Sequence, residues 1–245
     1  MWVPYPPLPE YLQTVDDTLQ KRGPEQVLSD LGSHARSFPE HDSLSEEQRQ
    51  LLTATLKTVR RIAQQFGPSD RSLVFELMIL GKLGAFDEAI ERGQGAYRAN
   101  QNWANAIAVG NALKRAGKIS EAIDMFDAAS RLDETDVSAP LEAGDLELEQ
   151  GNYGAATPHY AKALQRAPAH PWAEPSLWFC NYMMSREDSW LEKLKQSASV
   201  PQDECGVEES LAELLGVEPE SERTIRAASL LEKVERVFRL PRGNE

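Results

Sequence analysis

The chain has 245 residues, 41% of them apolar, and 39 acids against 26 bases give a formal net charge of −13. That balance argues against a nucleic-acid partner, because phosphate recognition runs on Lys and Arg. No apolar run approaches the ~20 residues that cross a bilayer, and Cys180 and Cys205 are the only thiols, so neither membrane insertion nor a disulfide framework is expected.

In chain order, the opening MWVPYPPLPEYL lacks the basic start and apolar core of a signal peptide. An extended tail over 1–9 and a cytoplasmic location with free thiols are expected. Helices are predicted over 10–22, ended by Gly23, and over 24–38, where Pro24 suits a first turn. A third, over 45–66, opens with Ser45 and Gln48 in capping-box spacing. Its apolar residues Leu52, Leu56, Val59, Ala63 and Phe66 form one stripe. That stripe is expected to pack on the next element, with a dimer seam as the alternative.

Three stretches then share one spacing: GAFDEAIERGQGAY (Gly84 to Tyr97), GKISEAIDMFDAAS (Gly117 to Ser130) and GNYGAATPHYAKAL (Gly151 to Leu164). The leading glycines fall 33 and then 34 residues apart, as do Ala89, Ala122 and Ala156, and Ala96, Ala129 and Ala163. A fixed period of this length marks stacked helical hairpins. The glycines suit left-handed helix ends, the alanines suit close helix approach, and Phe126 and Tyr160 plug the gap to a neighbouring helix. Gly110 and Gly144 match in the preceding helices. The first copy departs at both places, with Leu77 and Gly93.

These residues resemble the tetratricopeptide repeat family, with units at about 70–102, 103–136 and 137–170. The resemblance implies an all-α fold, a right-handed solenoid of antiparallel helix pairs, and a role in protein–protein interaction. Residues 1–69 are then an N-terminal helical region packing on the repeats. Residues 171–245 form a degenerate fourth repeat and capping helices with an acidic linker near 199–206. A last helix over about 221–240 carries Ile225, Ala228, Leu231, Val234 and Phe238 along one side.

In the family the first helix of each hairpin lines a concave groove. The matching positions are Arg71, Val74, Phe75, Met78, Gly81 and Lys82 in the first unit, and Ala104, Ile107, Ala108, Asn111, Lys114 and Arg115 in the second. In the third they are Ser138, Leu141, Glu142, Asp145, Leu148 and Glu149. From these, Arg71, Met78, Lys82, Ile107, Asn111, Lys114, Leu141, Asp145 and Leu148, together with Trp172, are the candidate partner-binding residues. The third set mixes leucines with acids and suits a partner with basic and apolar residues. From Leu132 to Ala161 there are seven acids and no Lys or Arg. The clamp that binds acidic chaperone tails in this family is missing: its positions hold Val74, Met78, Ala108, Ser138 and Glu142.

The four histidines, His34, His41, His159 and His170, show no metal-ligand spacing, and no P-loop, GxGxxG or GxSxG pattern occurs. Neither an enzyme nor a cofactor is expected. The leading expectation is an adaptor or scaffold whose groove binds a peptide or helix of another protein. The alternatives are a secretion-type chaperone covering an apolar client segment, and a structural subunit of a larger assembly.

Overall fold

The computed structural model describes residues 7–199 and 219–238. They form twelve α-helices, with no strand among the described residues. In order these are α1 (Leu8–Arg22), α2 (Pro24–Arg36), α3 (Glu46–Phe66), α4 (Asp70–Lys82), α5 (Phe86–Ala99) and α6 (Trp103–Arg115). Then come α7 (Ile119–Leu132), α8 (Ser138–Glu149), α9 (Tyr153–Arg166), α10 (Ala173–Ser185), α11 (Asp188–Ala198) and α12 (Pro219–Phe238). They gather into two compact units, α1–α7 and α8–α12, divided between Leu132 and Asp133.

The predicted corners are present in both units. Gly84, Gly117 and Gly151 adopt φ of 78°, 72° and 77°. The N–H one residue on donates to the carbonyl five back (Ala85 to Leu80, Lys118 to Leu113, Asn152 to Glu147), each at 2.9 Å. The glycine N–H donates to the carbonyl three back at 3.0 Å in all three. This paired closure satisfies helix-end carbonyls and requires a left-handed residue, which only glycine supplies without strain. Starts are capped as well. Gln48 N–H donates to Ser45 Oγ while Ser45 N–H donates to Gln48 Oε1, at 3.2 and 2.9 Å. Asn105 N–H donates to Asn102 Oδ1 at 2.8 Å at the start of α6.

Within the hairpins, the aromatic ring of the second helix lies against a glycine of the first. A Cβ on Gly110 would stand 2.7 Å from the Phe126 ring, and one on Gly144 would stand 2.9 Å from the Tyr160 ring. In α4–α5 the pair is inverted. Leu77 occupies the glycine position and Gly93 the aromatic position, where a Cβ would meet Leu77 Cδ1 at 2.9 Å. The two departures of the first repeat are therefore one compensating exchange of large for small.

In unit 1, α6 packs on α4 and α5, and α4 packs on α2 and α3 in the same way. Stacking thus starts one hairpin earlier than the sequence repeat. Gly32 allows α2 to lie over Phe75, since a Cβ there would come 2.2 Å from the ring. Leu52, Leu56, Val59 and Ile62 are at most 7% exposed, so the α3 stripe is used up inside unit 1 and is not available as a dimer seam. Ile62 takes the inward place expected of Ala63, and Phe66 is left 49% exposed. Glu76 on α4 is buried and held by Arg60 of α3 (Nε to Oε1, 2.8 Å) and Arg92 of α5 (Nη2 to Oε2, 3.0 Å).

In unit 2, α10 packs on α9 and α11, and α12 packs on α10 and α11, the relation α6 has to α4 and α5. Tyr160, Phe179, Cys180 and Leu194 belong to its core, together with Ala227, Leu230 and Val234 of α12. The stripe expected on this helix is corrected. Ile225 is 60% exposed, and the inward face runs through Arg226, Ala227, Leu230 and Val234. A rule that places arginine outside misses a face built around one. The extended tail expected over 1–9 also ends sooner, because Leu8 already begins α1 and is buried. Residues 1–6, the expected linker beyond Ser199, and Cys205 lie outside the described residues.

Candidate functional site

The third hairpin supplies the site. Asp136 anchors the start of α8, its carboxylate accepting from Ala139 N–H at 2.8 Å and Ser138 N–H at 3.2 Å. From there α8 presents Ser138, Leu141, Glu142 and Asp145 to an open cleft of about 440 Å³, lined also by His170, Trp172, Glu222 and Ile225. Further along the helix Leu148 and Glu149 line a second cleft of about 280 Å³ beside Lys233, Arg236 and Val237 of α12. All six groove positions of the third repeat thus border the two clefts beside α12.

Asp145 is the hub of the first cleft. Its Oδ1 accepts from the Tyr160 hydroxyl at 2.6 Å and from Arg226 Nη2 at 2.7 Å, and its Oδ2 accepts from the Trp172 indole N–H at 3.0 Å. Arg226 Nε donates to Ser176 Oγ at 2.8 Å, and its guanidinium carbon stands 4.3 Å from the centre of the Trp172 ring. The arginine therefore meets a carboxylate, a hydroxyl and an aromatic face at once. Burial, then the charge and hydrogen bond of Asp145, push the Tyr160 phenol above its usual range, so it stays a donor. Burial pushes the Cys180 thiol up to about 12 despite the opposing pull of Arg226, which keeps it protonated and inert.

His170 positions the cleft's aromatic wall. Its Nδ1 accepts from the backbone N–H groups of Trp172 and Ala173, at 3.2 and 3.3 Å, at the entrance to α10. Burial lowers its pKa, with Glu222 pulling the other way. On α12, Arg223 Nη2 donates to the Ala169 carbonyl at 2.8 Å and pairs with Glu174 at 3.2 Å, fixing the turn that leads into His170.

Leu141, Asp145 and Trp172 therefore converge on one cleft. Leu148 is 5% exposed and belongs to the unit 2 core as well as to the second cleft. In unit 1, Lys82 is buried, its ammonium taken up by the Phe38 carbonyl and the Glu40 carboxylate. Arg71 is exposed yet bonded to the Glu25 carbonyl at 3.2 Å. Lys82 is therefore not open on the groove as expected, being taken up by the segment after α2, while Arg71 stays exposed and contacts α2. Met78, Ile107, Asn111 and Lys114 are half-buried. Sequence reasoning missed Arg226, Ser176, His170, Glu222 and Ile225. Its one available signal was arginine recurring, at Arg223 and Arg226, on the face of α12 that carries Ala227, Leu230 and Val234. Among the described residues no cluster of His, Cys, Asp or Glu is placed to hold a metal, and no helix is long and apolar enough to cross a membrane.

No family model matches the chain, and no curated protein does. Solved structures do. The crystal structure of MamA protein aligns at 15% identity over 71% of this chain and 89% of its own, with a TM-score of 0.51. TTC0263, a thermophilic TPR protein of Thermus thermophilus, aligns at 17% identity over 75% and 92%, with a TM-score of 0.49. YrrB, described as a TPR protein with an unusual peptide-binding site, aligns at 15% identity over 74% and 89%, also at 0.49. Repeat spacing, corner geometry and the likeness to MamA agree: the fold is all-α and tetratricopeptide-repeat-like.

Proposed function

We propose that the protein is a non-catalytic interaction scaffold, and that the cleft beside α8 receives a short partner segment carrying basic and apolar residues. The chemistry of the lining carries this reading. Glu142 and Glu222 supply negative charge, with Asp145 matched by Arg226, while Leu141, Trp172 and Ile225 supply apolar surface in the same cleft. An aromatic anchor beside charge is the composition that concentrates binding energy in small interfaces. The run from Leu132 to Ala161, without Lys or Arg, extends the negative field and favours encounter with a cationic segment. Burial of Leu52, Leu56 and Val59 weighs against the assembly-subunit alternative in the form that used α3 as its seam.

The test is selection of peptides from a random library on the full chain, compared with a Glu142→Lys, Ile225→Asp chain. Both substitutions leave the Asp145–Arg226 contact in place. Enriched peptides should be rich in Arg or Lys and in aliphatic or aromatic residues, and should lose binding to the variant. Peptides that bind both chains equally would remove the cleft as the site.

A further inference from the structure

The third hairpin and α10 build an arginine receptor that is complete without α12. If α12 leaves, Asp145 still accepts from the Tyr160 hydroxyl and the Trp172 indole, one on each oxygen. Ser176 still donates to the Trp172 carbonyl at 2.7 Å. What disappears is the only cation within salt-bridge reach of Asp145 among the described residues, Arg226 at 2.7 Å. A carboxylate held in place by two neutral donors, beside an indole face and a hydroxyl, is organised for a guanidinium. It is poorly suited to an ammonium, which can neither fork nor stack.

The helix that fills this receptor is attached differently from its neighbours. Within unit 2 the connections from α8 to α11 are two to six residues long, whereas 20 residues separate Ala198 from Pro219. Three α12 side chains of the apolar core, Ala227, Leu230 and Val234, are fully buried, and Leu231 packs against that core. Near its end Phe238 meets the Tyr182 ring edge-on at 6.2 Å, with the Arg186 guanidinium 3.9 Å from its centre; the polar anchors of the helix are Arg223 and Arg226.

We propose that α12 is an internal ligand. The partner is an amphipathic helix carrying the same pattern, R-x-x-R-A-x-x-L-x-x-x-V, as α12 carries from Arg223 to Val234; it displaces α12 and seats its own arginine on Asp145, Ser176 and Trp172. This rests on the reading of the α8 and Trp172 side of the cleft as the interaction site, with Glu222 and Ile225 of α12 replaced by the partner, and adds the partner's secondary structure and its obligatory residue. A helix tethered in the same chain competes at high effective concentration, so the receptor is masked until a partner outcompetes it.

The probe is a fluorescent synthetic peptide spanning 219–238, titrated by anisotropy into full-length chains. A chain with Arg226→Ala and Leu230→Ala should bind it at least about tenfold more tightly than wild type, whose receptor is filled. Adding Asp145→Asn to that chain should abolish the gain, and a peptide with Arg226→Lys should bind more weakly than the native peptide. If the unlatched chain is folded by circular dichroism and binds no peptide, or binds the lysine peptide equally well, the proposal is overturned. If the double variant does not fold, hydrogen exchange on wild type decides. Excess peptide should speed exchange of the α12 amides, and unchanged exchange overturns the proposal. Library peptides that depend on Glu142 and Ile225 while the 219–238 peptide fails would leave the cleft as the site and remove only the internal ligand.

Discussion

Hairpins α4–α5 and α6–α7 solve the same close approach with large and small side chains exchanged. In the second the small residue is Gly110 and the large one Phe126; in the first the large one is Leu77 and the small one Gly93. What the fold holds constant is one large and one small residue per pair, 16 residues apart in each case, because the helix spacing leaves room for one side chain and not for a particular residue type. The neighbouring aliphatic and aromatic solutions differ in stiffness. A Leu terminus can shift by a few tenths of an ångström, and a ring edge cannot.

That difference orders the predictions. Phe126→Ala should cost about 3–5 kcal/mol, since a fully buried ring leaves a cavity facing a glycine that cannot fill it. Leu77→Ala should cost less, about 2–3 kcal/mol by the same reasoning, read as the shift in denaturant midpoint. The glycines separate the pair further. Alanine gains about 1 kcal/mol of helix propensity at either glycine. Gly110→Ala meets the Phe126 ring at 2.7 Å and should still destabilise by about 1–3 kcal/mol, whereas at Gly93 the Cβ meets Leu77 Cδ1 at 2.9 Å and Val109 Cγ2 at 3.0 Å, and the smaller movement should leave a smaller net loss. Equal losses at the two glycines would refute the idea that ring and leucine differ in compliance.

The two charge hubs differ as well, Glu76 being buried and Asp145 half-buried. Glu76 is gripped by arginines from α3 and α5, both joined to α4 by short connections, while Asp145 is gripped by an arginine at the far end of a long one. Glu76→Gln should therefore lower the stability of unit 1 as a whole, by about 1.5–3 kcal/mol, with the partly exposed arginines keeping the cost near the lower end. Arg226→Ala should instead act locally, raising hydrogen exchange in α12 while leaving the α4 and α5 amides unchanged. Uniform loss of protection across unit 2 would mean that α12 is welded in as firmly as α3.

The smallest effect expected is on pH dependence. Burial holds the imidazoles of His34 and His170 below the ordinary value of 6.5. Above that pH both folded and unfolded forms are neutral and the stability is fully present. As pH falls below it the unfolded chain takes up protons first, and stability is lost. The thermal midpoint should fall between about pH 7.5 and about pH 5.5, and fall less in His170→Asn, which keeps an acceptor for the α10 entrance without the titration. An identical slope in that variant would show that His170 does not contribute.

How much was legible follows the range of each interaction. The corners at Gly84, Gly117 and Gly151, the capping box at Ser45 and the glycine–aromatic pairs were all readable, because each is set by residues within about one hairpin of one another. The Leu77–Gly93 exchange was visible as two anomalies but not as one pair, since a match by residue type has no means of adding volumes. The α12 stripe failed for a related reason. Hydropathy sorts arginine to the outside, and only the presence of Asp145, Ser176 and Trp172 makes the inside the better place for Arg226.

By itself, then, the amino-acid order determined the helical hairpins, their corners and the acidic character of the third one, all products of short-range backbone chemistry repeated at a fixed period. Only the tertiary structure decided that the carboxylate at the middle of α8 faces an arginine 81 residues further on, and that Lys82 is taken up by the segment after α2 while Arg71 bonds to α2. Such contacts carry no periodic signal, because a charge pair distant in the chain depends on where the packed helices bring its two ends, and that is settled by the burial of the apolar faces around it.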